Sequence, residues 1–463
     1  MATSKQDSQK KETWSNDHAF PKVLIIGQTF TMDTGGGITL TNLFKKWPKE
    51  RLAVAVESKE VVDFDKADYY YRIGFQELKM PAPFSFFQRK TKSGAIAESK
   101  SEGAVQVKET GSLKFKVKQY FDAALHHTGL YFWMYGREKV SPALIAWIED
   151  FQPDLIYFQP NSYKSLDFIL AVTEKIRVAL VTHVMDDWFS FVVRSSPVKG
   201  YWQKKIDHKA QLLFDRTQLH LSICDYMSQE YERRYGHPFI AFHNCVDLDF
   251  WSTAAQNHPL SQPIKILYAG RIGYGLEMIL LKMADIVEQM GSEGIAVCLE
   301  IQTKDQRHEL ISTLENYRHV FTSPPVAYEK LPEKFAAADI LLIPCDFDGS
   351  GVRFLKYSMP TKSSEYMATG RPILVISPAG TALTEYARSG WALLCDSDRE
   401  ADIRKAIQEL ISSETLREKI SGRARELAAN NHSQSIVMQR FREALTKLAG
   451  AQISLNKKTA DGK

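Results

Sequence analysis

Two apolar runs that each end in glycine govern what this chain can fold into. Val23-Leu24-Ile25-Ile26-Gly27 opens one series of strand-like runs, and Ile264-Lys265-Ile266-Leu267-Tyr268-Ala269-Gly270 opens another. After the first come a glycine-rich turn, Gly35-Gly36-Gly37, a helical stretch over 38–44 and the apolar run 52–56. Strand-like runs recur at 155–158, 178–181 and 219–223, with helical patterns over 165–174 and 226–235. The second series places a helix over 276–290, a strand over 297–301, a helix over 331–338 and strands over 340–344 and 373–376. Short apolar runs alternating with helices imply parallel sheets covered on both faces. With 463 residues, the chain exceeds one ordinary core. It therefore reads as two similar α/β halves joined near Phe242-His243-Asn244-Cys245-Val246.

Boundaries follow from composition. A polar tail over 1–19 precedes a first domain over 20–245, and a second domain covers 246–434. A last helix over 435–450 is expected to cross back onto the first half, ahead of a frayed tail over 451–463. Residues 89–118, rich in Lys, Ser, Gly and Glu, break the alternation and read as a mobile insertion. The basic, then aromatic stretch over 113–136 suits a membrane surface, an acceptor groove or a helix packed on its own domain. A net charge of +4 gives no reason to expect nucleic acid as a partner. No run is apolar enough to span a bilayer and the amino terminus lacks a signal-peptide core. The five scattered cysteines have no metal-ligand spacing and read as buried thiols. The expected compartment is the cytoplasm, with peripheral contact at the inner membrane face as an option.

The candidate chemistry lies where strands end, because ligands of open parallel sheets bind at the carboxyl edge. In Tyr357-Ser358-Met359-Pro360-Thr361-Lys362 a polar turn leads into a helix that Gly370 and Pro372 close. Thr361 caps that helix in this reading. Amides of its first turn and Lys362 suit a phosphate, and Glu365 suits a ribose diol. Arg271, just past the strand that opens the second half, suits a diphosphate held bidentately. Gly36 and Gly37 let backbone amides approach an anion. Without the full dinucleotide glycine spacing, a nicotinamide cofactor is disfavoured. His183, Asp186 and Asp187 follow the apolar run 178–181, as a hydroxyl-binding imidazole and as general-base candidates. The alternative for the two acids is helix capping, and for His183 a backbone bond.

Four stretches together resemble the GT-B glycosyltransferases, within them the family-four-like bacterial sugar transferases. They are the 221–251 segment with its Asn244-Cys245-Val246-Asp247, Ile266–Gly273, Val326–Asp346 and Tyr357–Ile376 with its Pro-x-Lys-x-x-Glu-Tyr-Met-Ala-x-Gly-x-Pro pattern. The resemblance implies two Rossmann-like domains facing each other across a cleft, the donor held mainly by the second. It implies Arg271 and Lys362 on the diphosphate, Glu365 on the ribose, and Gly36 and Gly37 near the donor's phosphate or sugar. His183 would stand near the transferred sugar. No cofactor and no metal are implied: the donor is a nucleotide-diphosphate sugar and the acceptor a hydroxyl of a glycan or a lipid-linked molecule, in polysaccharide or surface-glycan assembly.

The chain departs from that pattern twice. Tyr357 stands where many relatives carry a glutamate eight residues before the second one, and no lysine occurs in the turn after Arg271. Lys356 or Lys362 would compensate. Retention at the transferred sugar is favoured over inversion, for which Asp186 or Asp187 would be the base. Two rivals are an epimerase of the same fold and a non-catalytic partner subunit.

Overall fold

A computed structural model describes residues 20–57, 60, 62–78, 91–98, 124–125, 127–128, 139–190, 197–252, 259–273, 275–305 and 309–461. The expected tail over 1–19 and nearly all of the aromatic stretch over 113–136 lie outside these residues. Two sheets organise the chain. The first has eight strands among the described residues: β1 (Val23–Ile26), β2 (Leu52–Glu57), β3 (Tyr69–Ile73), β4 (Gly94–Ile96), β5 (Leu155–Phe158), β6 (Ala179–Val184), β7 (Leu219–Ser222) and β8 (Phe239–Ala241). Their order is β4-β3-β2-β1-β5-β6-β7-β8, parallel throughout except for β4 against β3. The second has six: β9 (Ile264–Ala269), β10 (Val297–Gln302), β11 (Val320–Ser323), β12 (Ile340–Pro344), β13 (Ile373–Ile376) and β14 (Leu393–Cys395), in the order β11-β10-β9-β12-β13-β14, all parallel. This is the GT-B arrangement of two Rossmann-like domains.

The central strands are buried on both faces, as a doubly covered parallel sheet requires. Val23, Leu24 and Ile25 have no exposure, nor do Ile373 through Ile376. Helices such as Tyr163–Lys175 and Glu277–Ser292 lay apolar stripes on these sheets. Five helices bear on the site: α1 (Gly35–Leu43), α2 (Asp225–Tyr235), α3 (Lys362–Thr369), α4 (Ala382–Ala387) and α5 (Gln434–Asp461).

The structure redraws several expectations. The glycines Gly35, Gly36 and Gly37 form the first turn of α1 instead of a turn before it; Thr34 caps the helix by accepting a hydrogen bond from the Gly37 amide. The expected insertion over 89–118 contributes β4, an antiparallel edge strand, and apart from 91–98 lies outside the described residues. The run over 178–181 extends to Val184, because Thr182 and His183 both find partners inside the fold. Polar letters at a strand's end had disguised its length.

The domains are joined at two adjacent crossings. The Val246 amide donates to the His432 carbonyl at 2.8 Å, and the Gln434 amide to the Val246 carbonyl at 2.8 Å. From there α5 returns to the first domain, where the Phe441 ring packs 5.1 Å from Phe44 and 6.0 Å from Tyr157. The helix runs on to Asp461, past the expected end at 450.

Candidate functional site

The carboxyl edges of the two sheets face each other, and two helix amino ends meet between them. A Cβ built on Gly35 at the start of α1 would stand 3.4 Å from Thr361 Cγ2, at the start of α3. Asn244, on the crossing, ties these ends together. It accepts from Asn42 Nδ2 at 3.0 Å and donates to the Thr361 carbonyl at 3.2 Å and to Ser364 Oγ at 3.4 Å. Thr361 has helical dihedral angles and makes no side-chain cap. Its methyl group and carbonyl do the docking instead, which corrects the expected cap.

The α3 helix is fixed by burial and by a bond from the second sheet. Tyr366 Oη accepts from the Ala269 amide at 3.1 Å, which sets α3 beside the end of β9, two residues before Arg271. Gly370 closes the helix at φ +67°, a left-handed conformation that glycine adopts without strain. Glu365 is 3 % exposed, and its Oε2 makes no hydrogen bond, with the Lys362 ammonium 3.9 Å away. Burial pushes the Glu365 carboxyl above its ordinary pKa and the Lys362 charge opposes the shift. A buried carboxylate oxygen without a donor is costly unless a ligand supplies one. A vicinal diol carries two donors of the right kind.

Across the crevice, Asp186 is open to water between walls drawn from both domains. It accepts a 2.8 Å hydrogen bond from Ser358 Oγ of the second domain. Its pKa is raised by desolvation, against the pull of Ser358 and of the Arg271 charge. Arg271 itself is exposed at the end of β9, where its carbonyl accepts from Tyr268 Oη at 2.6 Å. Arg271, Asp186 and Ser358 therefore share one neighbourhood, and Lys362 opens the helix that begins four residues after Ser358.

The other predicted residues separate from this group. Asp187 is 1 % exposed and accepts from Tyr231 Oη at 2.7 Å and Arg234 Nη1 at 2.9 Å; it is a buried anchor for α2, which removes it as a base. His183 lies within β6 with no exposure, and its Nδ1 is 2.6 Å from Tyr157 Oη. An imidazole sealed in the core cannot touch a sugar, so its expected direct role is corrected. Burial holds its pKa down to about 4. Gly37 is also packed: a Cβ there would meet Thr31 Cγ2 at 2.3 Å, and its amide is already capped. Gly36, by contrast, faces the carboxamides of Gln28 and Gln159. The Lys356 ammonium is drawn to the Tyr357 phenol, which raises its pKa, and lies over that ring at 5.1 Å.

Tyr357 docks the strap that leads into α3. Its ring stacks on Tyr226 with centroids 5.6 Å apart, the Arg234 guanidinium lies 4.9 Å from it, and its carbonyl accepts from the Cys224 thiol at 3.3 Å. Beside this strap lies a cavity of about 340 Å³ lined by Tyr226, His243, Met359 and Tyr386 among others. Another, of about 350 Å³, sits on the outer side of the second domain around Asp285, Glu288 and Tyr317, away from these groups. A second bridge links the lips of the crevice, from Lys304 Nζ to the Asp33 carbonyl at 3.2 Å. Sequence reasoning missed Ser358, Gln159 and Arg234, since isolated polar letters carry no pattern until the strands are paired.

Residues 249–427 match the model of the family described as glycosyl transferases group 1. The match falls within the second domain. Solved structures agree on the fold across both domains. The sucrose-phosphate synthase of Thermosynechococcus elongatus superposes with a TM-score of 0.59 at 13% identity, over 93% of this chain and 99% of that one. HepE of Anabaena, in complex with UDP and glucose, gives 0.57 at 14%, over 92% and 100%. A UDP-forming α,α-trehalose-phosphate synthase from Burkholderia vietnamiensis gives 0.57 at 12%, over 93% and 99%. No curated protein sequence matches the chain. Among the described residues no helix is long and apolar enough to cross a membrane. The matched residues include Arg271, Lys362 and Glu365; Asp186 and Gly36 come from the domain facing them.

Proposed function

We propose that this chain transfers a sugar from a nucleotide-diphosphate sugar to a hydroxyl of a glycan or lipid-linked acceptor, in polysaccharide or surface-glycan assembly. One observation carries the reading: a buried carboxylate oxygen without a hydrogen-bond donor, Glu365 Oε2, stands one turn from a lysine at a helix amino end, on a helix bonded to the strand that ends two residues before Arg271. A ribose would satisfy the carboxylate. The diphosphate would meet the α3 amides, Lys362 and Arg271, with the Gly35 and Gly36 end of α1 approaching from the first domain.

In the reaction the bond from the anomeric carbon to the diphosphate oxygen breaks, and the acceptor oxygen bonds to that carbon. The acceptor proton passes to the departing diphosphate. Arg271, Lys362 and the helix ends stabilise the charge that develops on the leaving group, a role that needs no divalent cation here. Asp186 accepts a hydrogen bond from a hydroxyl of the sugar or acceptor. Asp186 lies within the field of the Arg271 charge, on the side of the cations that would hold the leaving group; this favours retention, since an inverting base has to stand across the anomeric carbon from the leaving group.

HepE was solved with UDP-glucose, which makes UDP-sugars the first donors to try. Thermal shift against UDP, GDP, ADP and CDP, followed by assays of sugar release from the matching donors, tests the reading. Stabilisation by one nucleotide and slow release of free sugar are expected. Interconversion of sugar nucleotides without release, or no stabilisation by any of them, would overturn it.

A further inference from the structure

His183 is withdrawn from the crevice, yet it is the far end of a polar chain that reaches back there. Gln159 Nε2 donates to Tyr157 Oη at 3.0 Å, and Tyr157 Oη lies 2.6 Å from His183 Nδ1. An amide nitrogen can only donate, so the phenol proton is free to go to Nδ1, and the imidazole carries its own proton on Nε2. That Nε2 makes no well-formed hydrogen bond, although the Ser222 and Phe242 backbones lie close enough to the ring to favour its proton. Around these groups the layer is apolar: the Tyr157 ring meets Phe44 at 5.4 Å and Phe441 at 6.0 Å. Apolar side chains would fill such a layer at lower cost than a phenol and an imidazole.

The other end of the chain is what these groups serve. Gln159 directly follows β5 at the carboxyl edge of the first sheet and is 3 % exposed. Its Oε1 lies 2.8 Å from where a Cβ of Gly36 would be, with Gln28 Nε2 at 2.7 Å from the same point. Only a glycine lets both carboxamides pack under the first turn of α1. Gln28 Oε1 in turn accepts from the Thr29 amide at 3.0 Å, which directs the rest of its carboxamide to α1.

We propose that Gln159 is a positioning residue for the sugar donor, its carboxamide set by Tyr157 and His183 so that Gln28 and the first turn of α1 meet the transferred sugar and its phosphate at a fixed geometry. The inference rests on the donor site described above. The nucleotide is held mainly by the second domain, so the polar chain acts chiefly on turnover and changes nucleotide affinity little.

Tyr157→Phe removes one oxygen and keeps the ring, and Gln159→Met keeps the volume. Each is expected to lower kcat for donor turnover about tenfold, with affinity for the free nucleoside diphosphate within twofold of the parent. The double variant is expected to be no worse than Gln159→Met alone. His183→Leu should match Tyr157→Phe, and His183→Asn, which can accept the phenol proton, should recover most of the loss. Unchanged kcat in Tyr157→Phe and Gln159→Met, additive losses, or a parallel fall in nucleotide affinity and melting temperature would each overturn the inference. A parent protein that turns over no sugar nucleotide would instead remove the donor reading itself, and the inference with it.

Discussion

Ser358 of the second domain donates a 2.8 Å hydrogen bond to Asp186 of the first, while the adjacent Asp187 turns inward to Arg234 at 2.9 Å. Two neighbouring acids that look alike in sequence thus have opposite fates. Asp186→Asn keeps an oxygen for Ser358 and for a substrate hydroxyl but removes the charge that strengthens that bond, so it should lower kcat about tenfold with little change in melting temperature. Asp187→Ala leaves the Arg234 guanidinium without its buried partner, which costs about 3 kcal/mol of stability. Kinetics and urea unfolding on both variants check this. Full activity in Asp186→Asn would remove that residue from the chemistry.

The diphosphate grip is tested by charge removal. Arg271→Ala and Lys362→Ala are each expected to weaken binding of nucleoside diphosphate by about tenfold or more, as loss of a charge-assisted hydrogen bond would. Glu365→Ala should hurt an intact nucleotide and spare pyrophosphate, because the ribose is the partner missing from the latter. Titration calorimetry separates the two ligands. On the proposed mechanism side chains and helix ends supply the positive charge, so turnover in EDTA should stay within about twofold of turnover in magnesium.

The fold was legible because its signals are local. An uninterrupted apolar run bounded by glycine or proline marks β1, β5, β12 and β13, and helix ends showed at Tyr235-Gly236 and Gly370. The short strands β3, β4, β8, β11 and β14, at or next to the sheet edges, carry no sequence signal of their own, since a strand of three to five residues lacks a sustained pattern. Within the candidate site, the proximity of Lys362 and Glu365 is readable from their spacing within one helix. The place of His183 is not, because whether a histidine ends a strand or lies within it depends on Tyr157, 26 residues away. Asp186 and Asp187 differ only in which neighbour the chain brings to each.

Acid should destabilise this protein from an identifiable source. Burial holds His183 near a pKa of about 4 and His432 at about 3, against an ordinary value of 6.5. Below pH 6.5 the unfolded chain takes up protons that the folded one refuses, so stability is full above that pH and falls as pH drops towards 4. Each unit of pKa difference is worth ~1.4 kcal/mol per group. Urea midpoints at pH 7.5, 6.0 and 5.0 should fall in that order, and the slope should lessen in His432→Gln. An equal slope in that variant would assign the loss to other groups.

Tyr357 occupies the place where the resemblance leads one to expect a glutamate, and the structure gives it a mechanical task. Its ring is held against Tyr226 and Arg234, both on α2, and its carbonyl by the Cys224 thiol. A stacked aromatic pair contributes about 0.5–1.5 kcal/mol and a cation over a ring about 0.5–2 kcal/mol. That sum lies in the range of a domain-docking equilibrium rather than of a whole fold. Tyr357→Ala should therefore leave each domain folded while loosening the strap that carries Ser358 to Asp186. Faster amide hydrogen exchange is expected over 356–360 and 225–235, together with a higher donor KM and a nearly unchanged far-UV spectrum. A carboxylate at this position would meet Arg234 and Lys356 but lose the stacking, so Tyr357→Glu should restore less than half of the lost donor affinity. Exchange rates equal to the parent's in Tyr357→Ala would show that the strap is held by Ser358 and Asn244 without it.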